Sequence, residues 1–410
     1  MRVVIDITQL YNWDGRLTGI PRVMYELSSR FAAINHFNSE YIVWNEDRKG
    51  FDTITYEMYT AHQSLKNNLR TKGRLSWHAK AAFQKSPVLL RRAIRKAKRT
   101  VLASSDTTLN PFEFQNKDKL LVVWGEWDSQ YYRKALINAI QVSEVSLYQV
   151  AHDMLPLITP QYSSHSTEGL RSYVKEIYPI CASIISVSEN TKRDVIAWMH
   201  DMSLPCPPVK VIRLGENFDS VTSRQPSDAF FELNSKFILC VGTIEARKNH
   251  LLLYYTYKLA LSRGKSLPTL VIAGRRGWLT DNVYDLMTSD PETKEYFIFL
   301  HHADDNELSW LYQHCMFTIY PSHYEGWGLP VAESMYYQTP CIASQASSIP
   351  EIAGDLVSYF DPSSSEECLR TMLKYSDPSF LESQRKKLKA YKNTTWDQTF
   401  DRVKQIMEIH

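Results

Sequence analysis

The residues best suited to chemistry fall in one stretch, YPSHYEGWGLPVAES, where Glu325, Gly326 and Gly328 precede a helix expected to open near Pro330 and to carry Glu333 in its first turn. The two glycines remove side chains where a ligand would touch backbone, and a helix start offers unpaired N–H groups and partial positive charge to an anion. Glu325 and Glu333, with seven residues between them, can face one cleft. A carboxylate accepts two hydroxyl hydrogen bonds at once, as the vicinal diol of a sugar or ribose requires. A glutamate in a first helical turn also suits the helix dipole alone; the glycines, the proline and the second carboxylate together favour a ligand site.

A second candidate lies in FILCVGTIEARKNH, where Gly242 ends a strand ahead of Glu245, Arg247, Lys248 and Asn249. Adjacent cations after a strand fit a diphosphate, Arg binding it bidentately and Lys adding a compact charge; a solvated surface pair is the alternative. LVIAGRRGW repeats the pattern, with Ala273-Gly274 followed by Arg275 and Arg276. Near the start, the loop Thr8–Thr18 leads to Gly19-Ile20-Pro21-Arg22, which opens a helix whose free N–H groups can hold a phosphate. A structural glycine turn explains Gly19 equally well. His152-Asp153 follows SLYQVA, placing an imidazole at a strand's carboxyl end, where it either bonds a substrate hydroxyl or is a satisfied loop histidine. In SIISVSENTKRDV, Ser188 or Asn190 reads as a helix N-cap.

These loops need strands behind them. The candidates are Val3–Ile7, Leu120–Trp124, Ser146–Ala151, Ser183–Val187 and Val209–Arg213, then Phe237–Val241, Thr269–Ala273, Phe297–Leu300, Phe317–Tyr320 and Thr339–Ala343. Short β-branched runs alternating with helical stretches imply parallel sheets covered on both faces. The polar stretch Glu216–Asp228 separates two such series, so the expected fold is α/β, two doubly wound parallel-sheet domains facing a cleft. Ligands of such sheets bind beyond the carboxyl ends of the strands.

Composition narrows the function classes. The chain has 410 residues, 22% charged and 44% hydrophobic, an ordinary globular balance. MRVVIDITQL lacks the apolar core of a signal peptide, so a cytoplasmic location is expected. Six cysteines show neither C-x-x-C nor zinc-finger spacing, which predicts free thiols and no structural metal. No G-x-G-x-x-G is present, which disfavours a dehydrogenase. No D-x-D with a metal role and no nucleophile–acid carboxylate pair of the hydrolase kind stands out. Between Met58 and Ser105 there are twelve basic residues and no acidic one, which leaves the remainder at −10 against an overall +2. Within 86–102, Leu89, Leu90, Ala93, Ile94, Ala97 and Val101 recur at helical spacing opposite Arg91, Arg92, Arg95, Lys96, Lys98 and Arg99. Such a basic amphipathic helix lies on an anionic membrane surface or packs as a solvated face; no nucleic-acid motif accompanies it.

EGWGLPVAES with its E-x7-E spacing, preceded by VGTIEARKNH and VIAGRRGW, resembles the retaining nucleotide-sugar glycosyltransferases of family 4. The resemblance extends through TGIPRVMYEL, AHD at 151–153, SVSENTKRDV and VIRLGEN. It implies the GT-B fold, with an acceptor domain over 1–215, a nucleotide-sugar domain over 216–386, and the last helix, about 387–410, returning to the first domain. Carried over, Arg247 and Lys248 hold the donor diphosphate, Glu325 contacts sugar hydroxyls, and Glu333 the nucleotide ribose. The backbone around Gly326, Gly328 and Leu329 meets sugar or phosphate, Gly19 lets the first domain approach the phosphates, and His152 lies near the transferred sugar. Asp304 and Glu307, in HHADDNEL, lie where the family has its base-proximal segment. Many members have Arg where this chain has Thr243, so one diphosphate contact is missing or comes from Arg275. The implied activity is metal-independent, cofactor-free hexosyl transfer, with mannose from GDP-mannose the expected donor. Its acceptor is a glycan or lipid-linked glycan of bacterial surface polysaccharide, the enzyme being cytoplasmic or peripheral on the inner membrane face. An epimerase or phosphorylase of the same fold, or a non-catalytic donor-binding scaffold, are the alternatives.

Overall fold

The computed structural model describes residues 2–13, 15, 17–34, 38–72, 109–163, 167–217, 221–226 and 236–409. The stretch 86–102, and with it the expected basic helix, lies outside these residues. The chain divides into two compact units, Met1–Gln149 and Val150–His410.

The first unit holds β1 (Arg2–Asp6), β2 (Asn38–Asn45), β3 (Gly50–Ile54), β4 (Lys119–Val122) and the start of β5 (Ser146–Ala151). Their order is β3-β2-β1-β4-β5. β1 lies parallel to β2 and β4, and β4 to β5, while β3 turns back antiparallel to β2. Val3, Val4 and Ile5 are all fully buried, as a central parallel strand with both faces covered demands. At the carboxyl end of β1, the buried Asp6 carboxylate accepts hydrogen bonds from Thr8 N (2.8 Å), Thr8 Oγ1 (2.5 Å) and the Tyr132 hydroxyl. Those bonds fix the start of the short helix Thr8–Asn12.

In the second unit β6 (Ser183–Ser186) and β7 (Val209–Val211) pair in parallel. The helix Glu189–Asp201 after β6 is capped by Ser188, whose hydroxyl accepts from Thr191 N. A six-stranded parallel sheet follows: β8 (Phe237–Val241), β9 (Thr269–Ala273), β10 (Phe297–Leu300), β11 (Phe317–Tyr320), β12 (Cys341–Ser344) and β13 (Ser358–Phe360), ordered β10-β9-β8-β11-β12-β13. Alternation along β8 shows how the sheet is covered: Ile238 and Cys240 enter a core with Leu253, Tyr257 and Met372, while Phe237 and Leu239 enter another with Leu311 and Tyr312. All carboxyl ends of these strands therefore open on one edge, where the loops with the candidate residues emerge.

The C-terminal helix Trp396–Ile406 opens on a capping box of Thr395 and Gln398. Trp396 is buried beside Gly215, where a Cβ would come within 2.5 Å of its ring. Trp396 N donates to Asn217 Oδ1 (3.0 Å), Thr399 Oγ1 to Arg213 O (2.7 Å) and the Tyr391 hydroxyl to Glu216 Oε1 (2.6 Å). Residues 391–399 are thus stitched to 213–217.

Candidate active site

Beyond β8 the chain passes Gly242, makes a 3-10 turn over Ala246–Lys248 and enters the helix His250–Ser262. The turn closes on Asn249 at φ 59°, a left-handed conformation that Asn tolerates better than most residues. The Asn249 amide donates to the carbonyls of Pro321 (3.1 Å) and Pro362 (2.8 Å), and His323 N donates to Arg247 O (2.8 Å). The Arg-Lys-Asn turn is thereby fastened to the loop after β11.

Across that junction both cations converge on Glu325. Arg247 Nη1 lies 2.6 Å from Glu325 Oε2 and Lys248 Nζ 2.7 Å from Glu325 Oε1. Arg247 Nε lies 2.6 Å from Glu245 Oε1, and its Nη1 also donates to the Tyr324 carbonyl (3.1 Å). Lys248 Nζ donates to the Tyr320 hydroxyl, which donates to Glu325 Oε1 (3.0 Å). Glu245, Lys248 and Glu325 are all buried. Burial by itself would push the Glu325 carboxyl up, but Arg247 and then Lys248 outweigh it and bring it down to about 2. Burial lowers the Lys248 ammonium despite Glu325, and raises Glu245 despite Arg247. Arg247 loses to burial but gains more from Glu325 and Glu245, so it stays charged. Two cations and two carboxylates thus form a preorganised cluster that can re-pair with an incoming anion.

The glycines of EGWGLP have separable reasons. A Cβ on Gly326 would fall 1.9 Å from His152 O, so only glycine fits where these two loops cross. Thr191 Oγ1 donates to both His152 O and Gly326 O (3.3 Å each). Gly328, at φ 123°, is the N-cap of the helix Leu329–Tyr336. Glu325 is held by its own backbone: its N–H donates to Ser347 Oγ (2.8 Å), and its carbonyl accepts from Ser348 Oγ (2.9 Å).

Glu333 requires a correction. It is the fifth residue of its helix, and no acidic residue stands in the first turn. The helix opens at Leu329, one residue before Pro330, so Glu333 lies beyond the reach of the dipole that would have explained it. Its buried carboxylate accepts from the Tyr312 hydroxyl (2.8 Å). Val241, Tyr312, Thr318, Ile319, Tyr320 and Pro330 line a small recess whose tyrosines donate to the glutamates, Tyr312 to Glu333 and Tyr320 to Glu325.

Other candidates lie around this cluster or apart from it. Thr243 and Arg275 are joined through the neighbouring backbone, with Ile244 N donating to Arg275 O (2.9 Å), and the Arg275 side chain is exposed. A Cβ on Gly274 would fall 1.8 Å from Gly242 O, so the loops after β8 and β9 touch backbone to backbone. Gly19, in the first unit, is the N-cap of the helix Ile20–Ala33 at φ 59°, and a Cβ there would meet nothing. Asp304 and Glu307 form a reciprocal capping box on the helix Asp305–His314, with Arg224 against both carboxylates at 2.5 and 3.4 Å. The D-x-x-E spacing was the readable signal for that box. Sequence reasoning named Glu245 without giving it a role, and it missed Tyr320, which ends a strand and reads as core, and Tyr312, which reads as the buried face of the helix Asp305–His314.

Residues 222–394 match the glycosyl transferases group 1 family. The O-antigen chain mannosyltransferase B of Escherichia coli is 28% identical over 221 residues, 52% of this chain and 56% of that protein. The O-antigen chain mannosyltransferase RfbU of Salmonella typhimurium is 26% identical over 251 residues, 58% of this chain and 66% of its own. The match thus spans little more than half the length of the first of these. Among solved structures, HepE of Anabaena in complex with UDP and glucose superposes with a TM-score of 0.62 at 14% identity, over 100% of this chain and 99% of that one. Sucrose-phosphate synthase from Thermosynechococcus elongatus gives 0.61 at 14%, over 100% and 98%. The fold is that of the GT-B glycosyltransferases, two parallel-sheet α/β domains, and the stretch from 222 to 394 is similar to the glycosyl transferases group 1 family.

Proposed function

We propose that the protein is a retaining hexosyltransferase of family 4 that moves mannose from GDP-mannose onto a glycan or lipid-linked glycan during surface polysaccharide biosynthesis. The observation that carries this is the convergence of Arg247 and Lys248 on Glu325 beside the Gly328 helix start, in a domain whose curated relatives are O-antigen mannosyltransferases. Arg247 and Lys248 neutralise the diphosphate as the anomeric C–O bond breaks and its electron pair passes to the phosphate oxygen. Such stabilisation of developing charge is often the largest single contribution to catalysis. Glu325 is thereby released to the sugar hydroxyls, Glu333 takes the ribose diol, and His152 and the backbone at Gly326, Gly328 and Leu329 border the sugar. The acceptor hydroxyl forms the new bond to the anomeric carbon on the face the diphosphate leaves, and its proton goes to the departing phosphate. That path requires no protein nucleophile.

Incubation with labelled GDP-mannose and an O-antigen-type acceptor, with NMR of the product, tests the reading. Transfer with the donor's anomeric configuration kept is expected; an inverted product, or no turnover with any nucleotide-sugar, defeats it.

A further inference from the structure

Among the described residues, the Tyr320 hydroxyl is a neutral group hydrogen-bonded to both members of the Lys248–Glu325 pair. Tyr320 closes β11, is 3% exposed, and reaches the cluster from the strand while Lys248 and Glu325 reach it from the loops after β8 and β11. We infer that Tyr320 is a positioning residue of the transfer reaction: its hydroxyl, accepting from Lys248 and donating to Glu325, keeps the ammonium in register while Glu325 gives way to the leaving diphosphate. This rests on the reading of the site given above.

The chemistry requires something of this kind. A lysine side chain has four rotatable carbons and a large rotamer entropy, so a buried ammonium needs fixed acceptors to stay in one place. In the cluster as it stands Lys248 has two, the Glu325 carboxylate and the Tyr320 hydroxyl. When a diphosphate enters, the carboxylate has to loosen, because two anions cannot share one ammonium at full strength in a dry site. The phenol carries no charge, so it neither competes with the phosphate nor is repelled by it. It also favours the charged form of Lys248, opposing the burial that lowers that ammonium. On the other side, its proton occupies a lone pair of Glu325 Oε1 and orients the carboxylate. Phenylalanine would fill the same volume and leave both partners without the hydroxyl.

The test compares wild type with Tyr320→Phe, using GDP-mannose as donor, for kcat, donor KM, the pH profile of kcat and Tm. A hydrogen bond to a charged group made at the reacting centre corresponds to a fall in kcat of about tenfold or more. The expected result is that fall with KM changed by less than about threefold, and an alkaline limb moved to lower pH because Lys248 loses an acceptor. Tm should hold. An unchanged kcat overturns the inference, as does a loss matched by a lower Tm with the alkaline limb in place, or a variant that fails to fold; each makes Tyr320 a packing residue. Failure of the functional reading is seen separately, as wild type that transfers nothing, and it removes this inference with it.

Discussion

At the scale of single residues, the site is a problem in charge. Arg247 and Lys248 are each within 2.7 Å of Glu325, and Arg247 is within 2.6 Å of Glu245, so the cluster is neutral as it stands. An anionic leaving group can be accommodated by re-pairing, with the N-terminus of the helix Leu329–Tyr336 adding roughly half a positive charge. If those groups supply the neutralisation, a divalent cation has nothing left to do. Transfer is therefore expected to persist in EDTA, while Arg247→Ala and Lys248→Ala each lower kcat by roughly 100-fold or more with the fold intact by circular dichroism. Loss of activity in EDTA that Mn²⁺ restores would contradict this, as would either variant turning over at the wild-type rate.

At the scale of elements, the positions of most strands along the chain were readable, and their order in the sheets and the way they are tied were not. Each of the ten expected strands is present with ends within two residues, because their consecutive β-branched and apolar residues are what a strand buried on both faces needs. β2, β3 and β13 escaped notice: NSEYIVWN and GFDTI flank the charged turn Glu46–Lys49, and SYF is too short to carry a period. The sites legible in advance were those whose glycines and charges clustered in sequence. Those that escaped depend on contacts across distance, such as Tyr312 to Glu333 and Tyr391 to Glu216. The last of these makes a prediction. Burial outweighs the hydrogen bond from Tyr391 and the pull of Arg213, pushing the Glu216 carboxyl up from its ordinary 4.5 to about 7; Glu333 adds to the rise. Its Oε2 has no hydrogen-bond partner among the described residues. The folded state therefore holds a proton that the unfolded chain has lost. That contribution to stability is complete below pH 4.5 and disappears as pH rises through about 7, about 3 kcal/mol in the limit. Glu216→Gln keeps an acceptor for Tyr391 and cannot ionise. Its Tm should match wild type near pH 4.5 and exceed it above pH 7; parallel Tm curves over that range would locate the pH dependence elsewhere.

At the scale of the whole molecule, the charge is divided rather than balanced. The segment from Met58 to Ser105 carries twelve basic residues and no acidic one, against −10 over everything else. Among the described residues no helix is long and apolar enough to cross a membrane. An enzyme working on a lipid-linked acceptor gains from residence at the lipid surface, and a local cationic charge supplies that without a membrane span. Each Lys or Arg near an anionic surface contributes about 1 kcal/mol, screened over about 10 Å at 0.1 M salt. Sedimentation with phosphatidylglycerol vesicles should show binding that weakens steeply with salt, and phosphatidylcholine vesicles should show none. Replacing Arg91, Arg92, Arg95, Lys96, Lys98 and Arg99 with Gln should release the protein from the vesicles while leaving transfer to a soluble acceptor at the wild-type rate. Failure to bind phosphatidylglycerol even at low salt would leave those six residues as a solvated face, and the acceptor would then have to be met in solution.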